Sequence, residues 1–470
     1  LYLSAGNDTT QMNYQGAYDE ALTSLLFRVN YTFREKYLLT VSWRTDRSSR
    51  FTKANRTGNF PSASIGWNMT DESFVQNIKI LDRLKLRASY GVLGNQASAS
   101  GYPSTGAVTS GLYGVFGPNE ALNQGATLIS LSNANLKWET SRQADIGVEM
   151  GLFESKLAIE VDWYNRETYD IIAAVPIPDY VGSASDPVVN TAKVNNQGWD
   201  ISANWREVGK VSYNFGAIFS PVTNNVEKLA NGRNEIFAAD IKGEFASHTI
   251  VGLPIGSFYG YKVAGIFQSQ EELDNSPKLG GEGIGDIRFE DTNKDGLLNG
   301  DDRVYLGSPI PKLTYSFSGG VEWLGFDLNA DVLGATGHYV YNAKEIFRDG
   351  IYNWEQHVED RWTSANPSST EPRISSGGHN YKVSDRFLEK GDFIRLRSLS
   401  LGYTIPKNVS SEIKIDRLRV YVTGTNIWTK QEYSGYSPEF PNAGNTYEVG
   451  FDFGGYPIAK SWVAGIEIQF

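Results

Sequence analysis

Segments of about ten residues in which apolar and polar side chains alternate recur along this chain, and this alternation constrains its fold more than any other feature. The pattern is clear over residues 83–92 and 156–164 and in the segment that begins at Phe326. A period of two residues places successive side chains on opposite faces of a β-strand. We count about thirteen such strands. Further segments begin near Ser24, Lys36, Pro61, Gln143, Trp199, Val211, Leu313 and Leu418.

The connections between these segments alternate between short and long. Short connections fall near 34–35, 70–82, 153–155, 207–210, 324–325 and 406–416, and long ones cover about 45–59, 93–142, 174–198, 221–312, 335–393 and 426–458. Outer-membrane β-barrels have short periplasmic turns and long outer loops, whereas loops of this length are uncommon in compact soluble domains. The pattern therefore predicts an all-β fold, an antiparallel transmembrane β-barrel, rather than a soluble sandwich.

The composition agrees with a barrel and excludes several other classes of protein. With 40% hydrophobic and 13% aromatic residues, the chain is too apolar to be disordered. A net charge of -11 without a basic cluster argues against a nucleic-acid partner. The absence of cysteine excludes disulfides, thiolate zinc sites and thiol catalysis. No apolar run reaches the roughly 18 residues of a transmembrane helix, and the opening LYLSAGNDTT does not have the pattern of a signal peptide.

The last segment ends the chain on an alternating strand whose final residue, Phe470, is aromatic, as in the assembly signal of outer-membrane barrels. If that strand ends in the periplasm, an odd strand count places the start of the first strand outside the cell. We therefore expect 1–20 to be the tail of an extracellular loop and 21–470 to be the C-terminal part of a barrel. The predicted long extracellular loops are 93–142, 221–312, 335–393 and 426–458, and we expect the plug domain and the remaining strands to be absent from this chain.

Two finer features of the strands can be predicted. Ile394 and Leu396 follow one phase of the alternation and Leu399 follows the other, which predicts a β-bulge at Arg397–Ser398. Three tryptophans fall on apolar strand faces, where a barrel would place them against lipid or in an interfacial girdle: Trp43, Trp67 and Trp163.

The most specific local motif is an acidic stretch that matches a calcium-binding loop. It runs DTNKDGLLNGDD from Asp291 to Asp302, with glycine at the sixth position and an acidic residue at the twelfth. Calcium prefers six to eight oxygen ligands, which alternate residues of a tight loop can supply. An acidic, solvated turn is the alternative interpretation. The predicted ligands of a structural calcium ion are Asp291, Asn293, Asp295, the carbonyl of Leu297, Asn299 and Asp302, the last in place of the usual glutamate.

Signals for catalysis are weak. The four histidines are not arranged in an H-E-x-x-H motif, and no G-x-S-x-G stretch occurs. Gly281, Gly283 and Gly285 lack the strand–turn–helix context of a nucleotide fingerprint. We therefore predict that the chain is not an enzyme and has no catalytic residues, and the pattern identifies no substrate-binding residue.

Long stretches of the chain resemble the SusC/RagA-type TonB-dependent transporters of Bacteroidetes outer membranes. They occur in order from about residue 25 to the end. The matching stretches are FREKYLLTVSWRTDRSSRF, GNFPSASIGWNMTDESF, LDRLKLRASYGVLGNQ, LKWETSRQADIGVEMGLF, VNNQGWDISANW, GLPIGSFYGYKVAGIFQ, GDIRFEDTNKDGLLNGDDRVYLGSPIPKLTYSFSGGVEW and GDFIRLRSLSLGYTIP.

The resemblance implies a barrel of about 22 strands that is occluded by an N-terminal plug. It further implies import of an oligosaccharide or peptide, energised by the TonB complex and assisted by a SusD-like surface lipoprotein. The TonB contact and the plug would belong to the N-terminal part. The same resemblance places the chain in the outer-membrane lipid of a Gram-negative bacterium of the Bacteroidetes.

Two other functions remain open on the residues alone. A passive, porin-like barrel would be favoured by an intact gene that lacks a plug and a TonB box. A soluble calcium-dependent glycan-binding β-protein would be favoured by solubility without detergent, but this alternative gives a poor account of the long loops on one side and of the terminal Phe470.

Overall fold

An antiparallel meander of thirteen strands dominates the computed structural model. The structure describes residues 19–470 except 71, 97–102, 105, 107, 129–130, 176–186, 230–233, 349–353, 376–377, 411, 413 and 441–445. Each inner strand of the meander pairs with the meander strands before and after it, and the first and last strands pair with one neighbour each within the described residues. The strands are β1 (Leu22–Phe33), β2 (Tyr37–Ser48), β3 (Thr57–Asn68), β4 (Leu81–Asn95), β5 (Glu139–Leu152), β6 (Leu157–Tyr169), β7 (Ala192–Glu207), β8 (Val211–Leu229), β9 (Leu313–Trp323), β10 (Phe326–Thr336), β11 (Phe393–Thr404), β12 (Arg417–Gln431) and β13 (Ser461–Gln469). The predicted all-β antiparallel fold and its strand count are confirmed.

The alternation of short and long connections holds for most of the meander, but the connection predicted to be long at 45–59 is reduced to residues 49–56. At one end most turns are tight, as between β9 and β10, where Leu324 and Gly325 both have positive φ, as a two-residue type I′ turn requires. The connections 69–80 and 405–416 at this end are longer and each contains a short helix. The connections at the other end are long, with one shorter exception. We call these L1 (49–56), L2 (96–138), L3 (170–191), L4 (230–312), L5 (337–392) and L6 (432–460).

Two strands run farther toward the long loops than the alternation predicts. β8 continues to Leu229 and β7 begins at Ala192, so L4 starts later than the predicted 221 and L3 ends before the predicted 198. Asparagines take up much of this extension, and Asn224 Nδ2 donates to Asn196 Oδ1 at 2.7 Å. Polar residues at successive positions remove the period of two, so the alternation pattern does not reveal this part of the two strands. Of the predicted loop tail at 1–20, residues 1–18 lie outside the described residues.

The strand register joins the apolar faces of all thirteen strands into one continuous band. Ile201 on β7, for example, pairs with Val161 on β6 and with Phe219 on β8. Many of these side chains are exposed, Ile201 at 36% and Phe219 at 37%. An exposed apolar band of this extent is what a barrel presents to lipid.

Aromatic residues border the band at both ends, as in outer-membrane barrels. At the tight-turn end, the ring of Tyr37 lies 6.2 Å from the ring of Trp67. Six residues farther along β2, Trp43 is 50% exposed on the same face, about 20 Å away at the rise of an extended strand. Trp163 pairs directly with Trp199 on the next strand of the band. The three tryptophans predicted for the apolar face therefore lie on it.

The predicted bulge is present in β11. Leu396 pairs with Val332 and Ser398 pairs with Asp331, which leaves Arg397 as the extra residue. Because of the bulge, Leu396 and Leu399 both lie on the apolar face although they differ in phase. The change of phase in the sequence thus has the structural cause that we expected.

The long loops contain secondary structure of their own. A four-stranded sheet in L4 is formed by Glu235–Ile241, Glu244–Ile250, Ser257–Gly260 and Val304–Gly307. Paired two-stranded ribbons are Val108–Phe116 with Ala121–Leu128, Ile172–Ala174 with Val188–Asn190, Val263–Ile266 with Ile287–Phe289, and Tyr339–Tyr341 with Leu388–Lys390. The helices are α1 (Ser73–Gln76), α2 (Gln270–Asn275), α3 (Ala343–Ile346) and α4 (Lys407–Ser410), and 3-10 turns occupy Gly300–Asp302, Gln356–Asp360, His379–Tyr381 and Asp385–Phe387. Within the described ranges, no helix combines the length and the hydropathy needed to cross a bilayer.

Candidate functional site at the long-loop end

The face of the sheet opposite the apolar band is polar and carries linked ion pairs. Arg87 on β4 donates from Nε to Asp162 Oδ1 at 3.0 Å and from Nη1 to Glu149 Oε1 at 2.8 Å. Between these partners lies Gly147, where a Cβ would come within 1.9 Å of Asp162 Oδ1. The glycine is required because the ion pair crosses directly over its backbone. A wall with one apolar and one charged face separates lipid from an aqueous interior.

Three of the long loops share a buried aromatic cluster. Phe258 of L4, Tyr341 of L5 and Phe451 of L6 are all less than 5% exposed. The Phe258 ring centroid lies 5.1 Å from that of Phe451 and 5.9 Å from that of Tyr341. Loops that bury rings against one another are held in one arrangement, since such cores are close-packed. We call L4, L5 and L6 together the cap.

A second contact joins L6 to L3 and L4. The phenol of Tyr447 is hydrogen-bonded to the Thr191 hydroxyl, and the Tyr447 carbonyl accepts from Ser247 Oγ at 2.6 Å. Burial raises the pKa of Tyr447 to about 12, so the phenol stays neutral at physiological pH. The neighbours of Tyr447 include Val226 of β8, which ties the cap to the barrel wall.

An ion pair with a buried carboxylate fixes L5 against L4. Arg373 Nε and Nη2 donate to the two carboxylate oxygens of Asp286, each at 2.7 Å, and Asn380 Nδ2 donates to Asp286 Oδ1 at 3.0 Å. Burial alone would raise the pKa of Asp286, but Arg373, the Gly283 amide and Asn380 hold it below its ordinary value. The paired carboxylate is thus ionised at neutral pH, and a bidentate pair of this kind fixes orientation as well as distance.

A cavity of about 460 Å³ lies where the cap meets the polar face of the wall. Ile218, Ser316 and Leu333 line it from three successive strands and are paired side by side on the polar face. From the cap it is lined by His338, which is 7% exposed and whose Nδ1 lacks a hydrogen-bond partner among the described residues. Burial lowers the pKa of His338, so its imidazole is neutral and able to donate or accept a hydrogen bond from a ligand. Cavities of this size with a few polar groups are typical ligand sites.

Arg395 of β11 connects the wall to L6, and its partner Glu439 lines this cavity. It is 5% exposed, pairs with Glu439, and donates to Ser437 Oγ at 3.2 Å and to Thr429 Oγ1 at 3.0 Å. The sequence indicates neither this contact nor the cavity, because their residues come from strands and loops that are far apart in the chain.

The six residues predicted to bind calcium lie in one loop between two strands of L4. Asp291 accepts from the amides of Lys294 at 2.7 Å and Gly296 at 2.9 Å, and Gly296 has φ +80°. The positive φ explains the glycine at the sixth position of the motif. Asn293, Asp295 and Asn299 accept from backbone amides in the same way, and Leu297 donates its amide to Asp295 Oδ1.

The twelfth residue of the motif, Asp302, closes the loop. It is fully buried, and its two oxygens accept from the amides of Thr292 and Asn299, each at 2.9 Å. In the part of the chain that the structure describes, no ion pair involves Asp302, Asp291 or Asp295, although the neighbouring Glu290 pairs with Lys262. The three carboxylates do not all come within 4.8 Å of one another, so a bound ion would have to draw them closer.

L5 also contains a cluster that the sequence analysis missed. In the described residues, Glu345, Glu355 and His357 are the only histidine and carboxylate group whose ligand atoms all lie within 4.8 Å of one another. Burial and the nearby charge of Glu355 raise the pKa of Glu345. The three residues follow no spacing typical of a metal motif, which explains why the sequence does not reveal them.

The geometry thus defines a class of protein: the wall of a transmembrane β-barrel with an ordered cap over its polar face. The family model described as "TonB dependent receptor-like, beta-barrel" matches residues 2–427. The chain belongs to this family and is an integral outer-membrane protein, as the apolar band requires.

Individual relatives agree with the family. The TonB-dependent receptor P3 of Formosa agariphila is 31% identical over 96% of this chain, and the TonB-dependent receptor SusC of Bacteroides thetaiotaomicron is 25% identical over 96% of it. The match covers 45% and 44% of those proteins, so the chain spans about half the length of the curated relatives. The solved structure of the RagAB peptide transporter matches 96% of this chain and 47% of that one, with a TM-score of 0.80 and 25% identity. The predicted SusC/RagA resemblance is confirmed.

Proposed function

We propose that this chain forms the C-terminal part of the barrel of a SusC-like TonB-dependent importer in the outer membrane of a member of the Bacteroidetes. Its cargo would be an oligosaccharide or a peptide, and a SusD-like surface lipoprotein would assist at the cap. The observation that carries the proposal is the cavity at the junction of cap and polar wall, which offers neutral His338 and hydroxyl groups between apolar side chains. The names of the matched relatives support transport rather than an enzymatic reaction.

The two outer strands of the meander support a larger barrel. β1 and β13 each pair with one neighbour within the described residues, and every residue of β1 is exposed. Unpaired strand edges are unfavourable in lipid, because their amides and carbonyls have no water to bond with. We infer that strands of an N-terminal portion pair with both edges, and that this portion provides the plug and the contact with the TonB complex.

The proposed cargo site can be tested by filling the cavity. We expect Ile218→Trp to lower uptake of the cargo about tenfold, a loss of about 1.4 kcal/mol, because the larger side chain would occupy part of the cavity that Ile218 lines. Uptake is measured as growth on, and accumulation of, labelled oligosaccharide and peptide pools in cells that carry the complete gene. The matched control is Phe219→Trp, which changes the adjacent residue on the apolar face and should leave uptake unchanged.

The same uptake assay distinguishes an energised importer from a passive porin. Uptake that stops when the proton-motive force is dissipated fits an energised importer, whereas uptake that continues would favour a passive porin. Equal uptake by wild type and Ile218→Trp would contradict the cavity as the cargo site.

We further propose that the loop from Asp291 to Asp302 binds a structural calcium ion. The predicted ligands Asp291, Asn293, Asp295, Asn299 and Asp302 line one turn, and none of its three predicted carboxylate ligands has a cationic partner among the described residues. Uncompensated carboxylates of this kind, with a glycine at the left-handed position, suit the oxygen preference of calcium. The carbonyl of Leu297 would supply a further ligand. The ion would clamp L4, with no part in a reaction.

Replacing two ligands should remove the ion. We expect Asp291→Ala combined with Asp295→Ala to abolish bound calcium and to make L4 more sensitive to protease, because about one-third of the ligand oxygens are lost. Calcium content is measured by mass spectrometry on protein purified in detergent, and Asp274→Ala on the exposed helix α2 serves as the control. Unchanged calcium in the double variant would refute the site.

A further inference from the structure

A second metal site is suggested by the cluster in L5, which lies apart from the calcium-like loop. The carboxylate of Glu345 lies near the imidazole of His357, with 3.5 Å between Glu345 Oε2 and His357 Nε2. The oxygens and nitrogen of Glu345, Glu355 and His357 that could bind a metal all lie within 4.8 Å of one another. Ligands of a tetrahedral zinc ion, each about 2.0–2.1 Å from the metal, lie roughly 3.3–3.4 Å apart. The cluster thus needs only a small contraction to hold such an ion.

The orientation of His357 also fits a metal ligand. Its Nδ1 lies 3.1 Å from Glu371 Oε2, and this contact directs Nε2 toward Glu345. A carboxylate bound to the far nitrogen of a histidine ligand is the usual second partner in zinc sites, because it fixes the tautomer and the ring plane. Arg386 in turn donates to Glu371 Oε1 at 2.6 Å, which holds that carboxylate in place.

The charge around the cluster favours a dication. A cavity of about 560 Å³ is lined by five carboxylates and by Arg386, while Lys344 and Arg348 both donate to Glu355 Oε1. Carboxylates therefore outnumber the cationic side chains that line the cavity. The carboxylates are Glu345, Glu355, Glu371, Asp385 and Glu389.

Unpartnered polar atoms in the same cavity point to a missing partner. Asn342 lines the cavity and is 2% exposed, and its Oδ1 has no hydrogen-bond partner in the part of the chain that the structure describes. Glu345 Oε1 is also buried and accepts no hydrogen bond from the described residues, although Lys344 Nζ forms a long ion pair with it at 3.9 Å. A buried oxygen without a donor is unfavourable by about 1–3 kcal/mol, so two in one acidic cavity are unusual.

We propose that Glu345, Glu355 and His357 bind a first-row divalent transition metal, for which Zn²⁺ is the probe, with Glu371 orienting His357. Such an ion would join helix α3 to the 3-10 turn Gln356–Asp360 and fix this part of L5 within the cap. A nitrogen ligand in the set distinguishes this site from the all-oxygen calcium-like loop, because imidazole suits zinc, whereas calcium takes oxygen ligands. The alternative is a proton shared between Glu345 and Glu355 with no metal.

The experiment uses the protein encoded by the complete gene, purified in detergent. The protein is treated with EDTA and dialysed against micromolar zinc with an excess of calcium, and bound zinc is then measured. We expect one zinc ion per chain in wild type and none in His357→Ala. Glu371→Gln should retain a weaker site, with affinity lowered about 10–100-fold. The matched control is His248→Ala, which removes an imidazole that pairs with a single carboxylate, Glu235, at 3.0 Å and should leave zinc unchanged.

The absorption spectrum of bound Co²⁺ reports on the metal ligands and does not depend on counting bound ions. Co²⁺ in a site with a nitrogen ligand should give a visible absorption band in wild type that disappears in the conservative variant Glu345→Gln. A wild-type chain that binds no zinc, or a His357→Ala chain that binds as much as wild type, would overturn the proposal and leave the shared proton as the explanation of the cluster.

Discussion

Placing an arginine on the apolar band should prevent stable assembly of the barrel. We expect Ile201→Arg to destabilise the assembled protein by about 2–4 kcal/mol, because a cation near the middle of the bilayer loses its hydration. Ile201 lies on β7 between Trp199 and Trp205 and pairs with Val161 and Phe219, which are also apolar. The amount of assembled protein in the outer membrane is measured by resistance to protease and by heat-dependent mobility in gels.

The adjacent residue of the same strand provides the control. Ser202 lies on the polar face, where it pairs with Glu160 and Ile218. We expect Ser202→Arg to assemble like wild type, because its guanidinium reaches water and a carboxylate. Equal loss of assembly in both variants would mean that β7 has no lipid-facing side, and the apolar band would then need another explanation.

The second large effect is expected in the cap. Phe258→Ala should destabilise the packing of L4, L5 and L6 by about 3–5 kcal/mol, the usual range for removing a buried phenylalanine. Phe258 is 0% exposed and lies 5.1 Å from Phe451, ring to ring. By the relation of tenfold per 1.4 kcal/mol, cleavage of the cap by protease should become at least a hundredfold faster.

Assembly of the strands should survive this change, since the cap lies outside the apolar band. The matched control is Phe116→Ala in the L2 hairpin, where the ring is 67% exposed and its loss should alter stability by about 0.5 kcal/mol or less. If Phe258→Ala left cleavage of the cap unchanged, the aromatic cluster would not be what holds the three loops together.

The barrel wall can be predicted from the sequence because its signal is local. Alternation identifies each strand from about ten neighbouring residues, and the phase change around Arg397 identifies the bulge without knowledge of its partner strands. The difference between tight turns and long loops is also visible along the chain. The extension of β8 to Leu229 is not, since asparagines in this ribbon remove the alternation.

The candidate sites could be predicted only in part, for a related reason. The calcium-like loop has its six predicted ligands within twelve consecutive residues, so spacing alone identifies it. The cavity beside His338 combines β8, β9, β10 and the cap, and Phe258 packs against residues of two later loops. Contacts between distant segments depend on how the chain packs, and one sequence without that packing contains no pattern for them.

The central claim, that this chain forms a lipid-facing barrel wall with a polar interior face, is tested most directly by cysteine scanning of β7. The chain contains no cysteine, so each single substitution carries the only thiol. With a membrane-impermeant maleimide, we predict labelling at Asp200, Ser202 and Asn204 and protection at Trp199, Ile201, Ala203 and Trp205. Labelling that does not alternate between the two sets, or that is uniform without detergent, would contradict the claim.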